Sequence, residues 1–481
     1  MKTYSLAAAA MLLVAVSSCK DAIHDAYEAK MAELPQFASV MPDVASLKGD
    51  QRRYVEFLYA YMPLPDMAVH GFDYWNANAT KAIEVRERMG WNVPEREFRH
   101  FVLPVRVNNE YLDDFRTLHA DELCSRVEGM SMADAVLEIN HWCHEQATYK
   151  PSDERTQSPL ATMRLGTGRC GEESVLAVAA LRAVGIPARQ VYTPRWAHTD
   201  DNHAWVEAYV DGSWHFLGAC EPEPTLDMAW FNAPVSRAML LHTKVFGDYH
   251  GDEDVITHTE AYTEINVIRG YVGARRTEVT VLDTLGRAVE GAEVEFRIYN
   301  YAEMFPVAAY LSDVHGRAAL DTGLGDVLVW ASKDDMFGVA VASSEHASVV
   351  LDHHFGEEFG LDLDIVPPAE NPIPSSADEG QIEANAVRLA YEDSLRLVSA
   401  LAFESEIATL DPAPAMRTRL EQTRNNWRAW KGFFDACEGD ARAEEIAATV
   451  FDSVSEKDLW DVQEAVLTDA LKGAGASLSK W

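Results

Sequence analysis

Basic residues are scarce in this chain of 481 residues: Lys and Arg total 41 against 77 Asp and Glu, a formal charge of -36. Nucleic acid would be repelled over most of such a surface, so it is not an expected partner; the acidity reads as a solvated face that keeps the chain soluble. Long apolar runs are missing too. The run from Leu6 to Val16 is eleven residues, about half of the ~20 that a helix needs to cross a hydrocarbon core, so no membrane-spanning helix is expected. No internal repeat is seen. With 48% hydrophobic and 25% charged residues, the composition is that of globular protein, and the length calls for about three domains.

Lys2, the short apolar run and Val16-Ser17-Ser18-Cys19 have the order of a leader: a charged start, a greasy middle and small residues at a cleavage point. Residues 1–18 are read as a signal peptide. Cys19 after the small residues resembles the lipobox of bacterial lipoproteins, and Lys20-Asp21 resembles the surface-export signal of Bacteroidota lipoproteins. This resemblance implies lipidation at Cys19, membrane attachment through it, a tether over residues 19–50 and residence in the cell envelope. A secreted protein with an incidental Cys19 is the alternative. Five cysteines follow, at 124, 143, 170, 220 and 437. An odd number in an oxidising compartment leaves at least one thiol free unless chains cross-link, so a reactive thiol is expected.

Residues 20–160 carry mostly helical patterns, as in Met132 to Trp142. From 160 to about 245 a helix alternates with strands, within a unit spanning 51–260. Residues 264–366 change to short β-rich runs such as Thr277–Leu282 and Ala292–Ile298, separated by turns at Gly286 and Gly316; they read as a β-sandwich of immunoglobulin-like or carboxypeptidase-regulatory type. The Pro- and Ser-rich stretch 367–380 is a linker and 381–481 a helical region. There Trp427, Trp430, Phe433 and Phe434 share one helix face, which reads as a buried face in preference to a sugar platform. His141, Cys143 and His144 are ligand types without a zinc spacing, and neither metal nor cofactor is expected.

The chemistry gathers at Gly166-Thr-Gly-Arg-Cys170, where a glycine-rich approach meets a helical pattern that ends near Gly185 and Pro187. Cys170 is thereby set at a helix N-terminus, whose free N–H groups favour a thiolate, while Glu172 and Glu173 oppose it. A basic partner is therefore needed. His203 opens the alternating run His203-Ala-Trp-Val-Glu207, and a Cys and a His together can perform thiol acyl transfer. Cys170, the run Ala180 to Arg189, His203 to Glu207 and Asp211-Gly-Ser-Trp214 together resemble the core of the transglutaminase-like superfamily, as do flanks at Arg106–Glu110 and Gly218–Pro224 like those of transglutaminase-domain lipoproteins of Bacteroidota. The resemblance implies an α+β, papain-like fold, a Cys/His/Asp triad, and acyl transfer to, or hydrolysis of, an amide in protein, peptide or cell-wall material.

The pattern breaks at the third member. The family places its acid four residues after the hairpin Trp, and here that position is Gly218. Asp211-Gly212 predicts a two-residue turn with Val210 facing Ser213, a register that sets His203 opposite Cys220. A β-bulge at Gly218 would turn Glu221 toward His203 as the acid; Glu223 and Asp227 are the fallbacks. Cys220 opposite His203 leaves open a disulfide with Cys170 or a metal site. If the missing acid disables the site, the chain is a silent binding or scaffold protein.

Overall fold

The computed structural model describes residues 22–37, 39–152 and 155–478. The leader and Cys19, with the anchor expected there, lie outside the described residues. Most of the stretch expected to be a tether is folded: residues 22–33 are helical, and Ile23, Tyr27 and Met31 recur at one-turn spacing and enter the main core.

Five helices build the frame of the site: α1 (Gly49–Tyr61), α2 (Phe72–Met89), α3 (Phe115–Arg126), α4 (Met132–Gln146) and α5 (Pro159–Leu165). α4 starts where the Ser131 hydroxyl accepts the Asp134 N–H at 3.1 Å, and α5 has the same device at Ser158. α5 stops at Gly166, whose φ of 67° is left-handed and suits glycine. Then comes α6 (Cys170–Ala183), whose side chains from Val175 to Leu181 are nearly all buried between α3, α4 and a sheet. A helix apolar on all sides sits in the middle of a fold.

The sheet has six antiparallel strands, β1 (Ala188–Thr193), β2 (His203–Val210), β3 (Ser213–Leu217), β4 (His242–Phe246), β5 (Asp254–His258) and β6 (Tyr262–Asn266), in the order β3-β2-β1-β4-β6-β5. It reaches Asn266, beyond the expected limit near 245. Asp211 and Gly212 both take positive φ, 50° and 101°, and the hairpin register runs from Val210 opposite Ser213 to Val206 opposite Leu217, as the turn predicts. This mixed helix-and-sheet unit is the α+β core expected.

Strands from β7 (Arg275–Leu282) through Glu293–Asn300, Glu303–Leu311, Arg317–Thr322, Val327–Lys333, Met336–Ala342, His346–Val350 and His353–His354 form a five-stranded and a three-stranded sheet. Their inner faces close over Val279, Val281, Phe296, Leu320 and Val329. Its two Gly turns share one device, in which Asp283 and Asp313 each accept two backbone N–H groups ahead of a left-handed Gly286 or Gly316.

The C-terminal helices begin with α7 (Glu379–Leu410), and α8 (Trp427–Cys437) carries the aromatic face. Trp430 and Phe433 are sealed in the core of this bundle. The bundle docks on the frame through charge. Glu392 of α7 is gripped by His141 Nδ1 at 3.0 Å and His144 Nδ1 at 2.8 Å; burial pushes its carboxyl up, but those histidine hydrogen bonds outweigh it and hold the group at about 2. Arg388 reaches Glu138 at 2.8 Å, and Arg155 and Arg164 reach Asp461 at 2.7 and 3.0 Å.

Candidate active site

Cys170 is the first residue of α6, with Arg169 extended before it at φ −75° and ψ 167°. The Arg169 N–H is taken by the Glu172 carboxylate at 3.0 Å, which pins the helix start. Gly168 belongs there because a Cβ would lie 3.0 Å from Glu172 Cβ and 3.3 Å from Thr162 Cγ2. Glu172 itself is fully buried and pairs with Lys457 from the C-terminal helices. The acid that the sequence sets against the thiolate is thus compensated from the far end of the chain.

The Cys170 thiol is half-buried. Burial pushes its pKa up, the N–H groups of Ala204 and Gly171 pull it down, Glu173 pushes it up, and the net direction is upward. His203, first residue of β2, follows the same logic with opposite sign. Its ring lies among Trp205, Trp230 and Phe231 at centroid distances of 5.7, 4.8 and 5.2 Å, and burial lowers it to about 4. Nε2 is buried with no hydrogen-bond partner among the described residues. At neutral pH the pair is a neutral thiol and a neutral imidazole, one able to give a proton and the other to take it.

Glu221 reaches the same cavity by a route other than the expected bulge. β3 ends at Leu217, and Gly218 to Glu221 form a tight turn in which Gly218 bridges Glu221 and Cys220 takes a φ of 57°. Asn140 of α4 closes the turn, donating to the Gly218 carbonyl at 2.8 Å and accepting the Cys220 N–H at 2.9 Å. These bonds replace the strand ladder, so the expected His203–Cys220 pairing does not form. Glu221 Oε2 accepts from Trp230 Nε1 at 3.0 Å, and burial raises its carboxyl. Among the described residues no hydrogen bond joins Glu221 to His203; Trp230 touches both. Of the fallbacks, Asp227 is engaged by His215 Nδ1 at 2.6 Å and the Phe216 N–H at 2.9 Å, and Glu223 does not line the cavity.

A cavity of about 410 Å³ brings Cys170, His203 and Glu221 together with Tyr149, Glu173 and Trp230. Cys170 also lines a second one of about 320 Å³, with Asn108, Gln190 and Tyr192. The sequence names Glu173 as an acid opposing the thiolate but not as a wall of the cavity, and it does not single out Trp230 at all. Glu173 stands on Cys170's own helix face, three residues on; it is 2% exposed, its Oε1 has no partner among the described residues, and burial holds its carboxyl well above the usual range. Its spacing from Cys170 was the available signal. Trp230 comes from a loop and carried none.

Residues 121–219 match the family described as the transglutaminase-like superfamily, so the chain carries a transglutaminase-like domain. No curated protein matches it. Among solved structures, a candidate cysteine protease from Cytophaga hutchinsonii is similar at 18% identity and a TM-score of 0.21, over 34% of this chain and 61% of that one. A red sea bream transglutaminase is similar at 10% identity and a TM-score of 0.24, over 53% of this chain and 64% of that one. The chain therefore spans less than two thirds of either structure.

Proposed function

We propose that this is an exported thiol enzyme of the cell envelope, anchored through lipidated Cys19, that opens an amide of protein, peptide or cell-wall material. Cys170 attacks the carbonyl as His203 takes its proton; the imidazolium returns that proton to the leaving amine, and water or a second amine resolves the thioester. Glu221, beside Trp230, is the acid assigned to favour the charged imidazole. A transglutaminase-like domain supports thiol-based acyl transfer or hydrolysis in general. The observation that carries the reading is the convergence of Cys170, at a helix start, and His203, at the head of a neighbouring strand, on one cavity that Ala204 also lines.

The test is product analysis with a glutamine-containing peptide and a primary amine, comparing wild type with Cys170→Ala. Amine incorporation lost in the variant marks a transferase, and a cut or deamidated peptide lost in the variant marks a hydrolase. A second reading, a silent peptide-binding scaffold, is favoured by one specific observation: burial moves thiol and imidazole away from a stored ion pair, and Gly218 stands where the family keeps its acid. Wild type that forms neither product nor a Cys170 acyl adduct supports the scaffold.

A further inference from the structure

Behind the cavity lie two buried thiols that take no part in the proposed chemistry, Cys143 and Cys220. Asn140 and Cys143 lie about one turn apart on the same face of α4. Asn140 is bonded to the Gly218 carbonyl and the Cys220 N–H at 2.8 and 2.9 Å, which brings Cys143 beside Cys220; the Cys220 thiol points at the Glu173 carbonyl at 3.9 Å, and burial, with Cys143 next, pushes it up. Cys143 and Cys220 are 0% and 1% exposed. The other described thiols are elsewhere: Cys170 lines the cavity, Cys124 points at the Ala183 carbonyl at 3.9 Å, and Cys437 is in the C-terminal core.

We propose that Cys143 and Cys220 form a disulfide, a covalent tie from α4 to the turn that presents Glu221. The oxidant is a disulfide donor of the glutathione type. One protein thiolate attacks a donor sulfur and expels a donor thiol; the second displaces the other donor half and closes the bond. The two protein thiols lose two protons and two electrons, and the donor becomes two thiols. Exchange takes place while the chain is folding, before burial seals the pair. The proposal rests on the export reading only for the source of its oxidant. Of the five it leaves Cys124, Cys170 and Cys437 as thiols, Cys170 among them as the nucleophile requires.

The test uses the purified full chain, refolded with oxidised glutathione, then denatured and alkylated with iodoacetamide without reductant. Peptide mapping is expected to show a Cys143–Cys220 cross-link that reductant removes, with Cys124, Cys170 and Cys437 alkylated, and a melting temperature roughly 5–10 °C above that of the reduced chain. Alkylation of both Cys143 and Cys220, or a cross-link from Cys220 to Cys170, overturns the proposal. The same map on chain alkylated at harvest from cells separates the two readings: a cross-link made in the tube but absent from cells counts against export, while the pairing stands.

Discussion

Removing the Lys457 ammonium tests whether the C-terminal helices hold the nucleophile's helix in place. Glu172 is 0% and Lys457 4% exposed, so Lys457→Met leaves a buried carboxylate whose remaining cation is Arg169, with Nη1 3.3 Å away. Breaking such a pair costs about 3–5 kcal/mol. Glu172 keeps hydrogen bonds from the Gln157 N–H at 3.0 Å, Gln157 Nε2 at 3.2 Å and the Arg169 N–H at 3.0 Å, so the low end applies, about 3 kcal/mol. The double variant Glu172→Gln/Lys457→Met removes both charges together and is expected to recover about 2 kcal/mol of that loss. Urea unfolding of the full chain, followed by tryptophan fluorescence and by the rate at which iodoacetamide reaches Cys170, reads both quantities. A Lys457→Met chain within 1 kcal/mol of wild type (roughly the worth of an exposed pair) would refute the idea that this contact clamps the site.

His100, 3% exposed, is lowered to about 4 mainly by burial. The unfolded chain binds a proton below about 6.5 that the folded chain refuses until about 4, so stability is full above that window and falls through it as pH drops, by about 3 kcal/mol from this group. Chemical unfolding at pH 7 and pH 4.5 is expected to show a smaller drop in His100→Gln than in wild type. Asn140→Ala strands the Gly218 carbonyl and the Cys220 N–H in the interior and is expected to cost about 2–3 kcal/mol, read by urea midpoint. Gly218→Ala sets a methyl 2.9 Å from Glu221 Oε2; Glu221 must give way, and a loss of about 1–2 kcal/mol is expected in the same assay.

What could be read from the chain was local. The hairpin register followed from Asp211-Gly212 because two left-handed residues in succession define a turn without outside help. The helix from Cys170 was likewise marked by its glycine-rich approach and by Gly185 behind it. The route of Glu221 was not legible, since its turn is set by Asn140 from 78 residues upstream and not by any residue of its own strand. The partner of Glu172 lies 285 residues downstream. An acid at the third position of a helix looks the same in sequence whether it faces water or a buried lysine. The aromatic face at Trp430 had a definite period, so burial was readable there, although what it packs against was not.

The electrostatics of the site bear on when its charge appears. Burial raises the Cys170 thiol and lowers His203. Glu173 and Glu221, the two nearby acids, are also pushed toward their neutral forms, and each is raised further by a neighbouring carboxylate. Every one of these groups sheds charge because the cavity solvates charge poorly. An ion pair made from Cys170 and His203 is therefore costly in the empty site and cheaper once a polarised carbonyl accepts the sulfur's electrons, since the negative charge then moves to oxygen. Proton transfer and attack are thus expected to occur together, and the thiol should react slowly with a simple alkylating reagent at neutral pH. Fast alkylation of Cys170 well below pH 8 in the free protein would show instead that a thiolate is already held there.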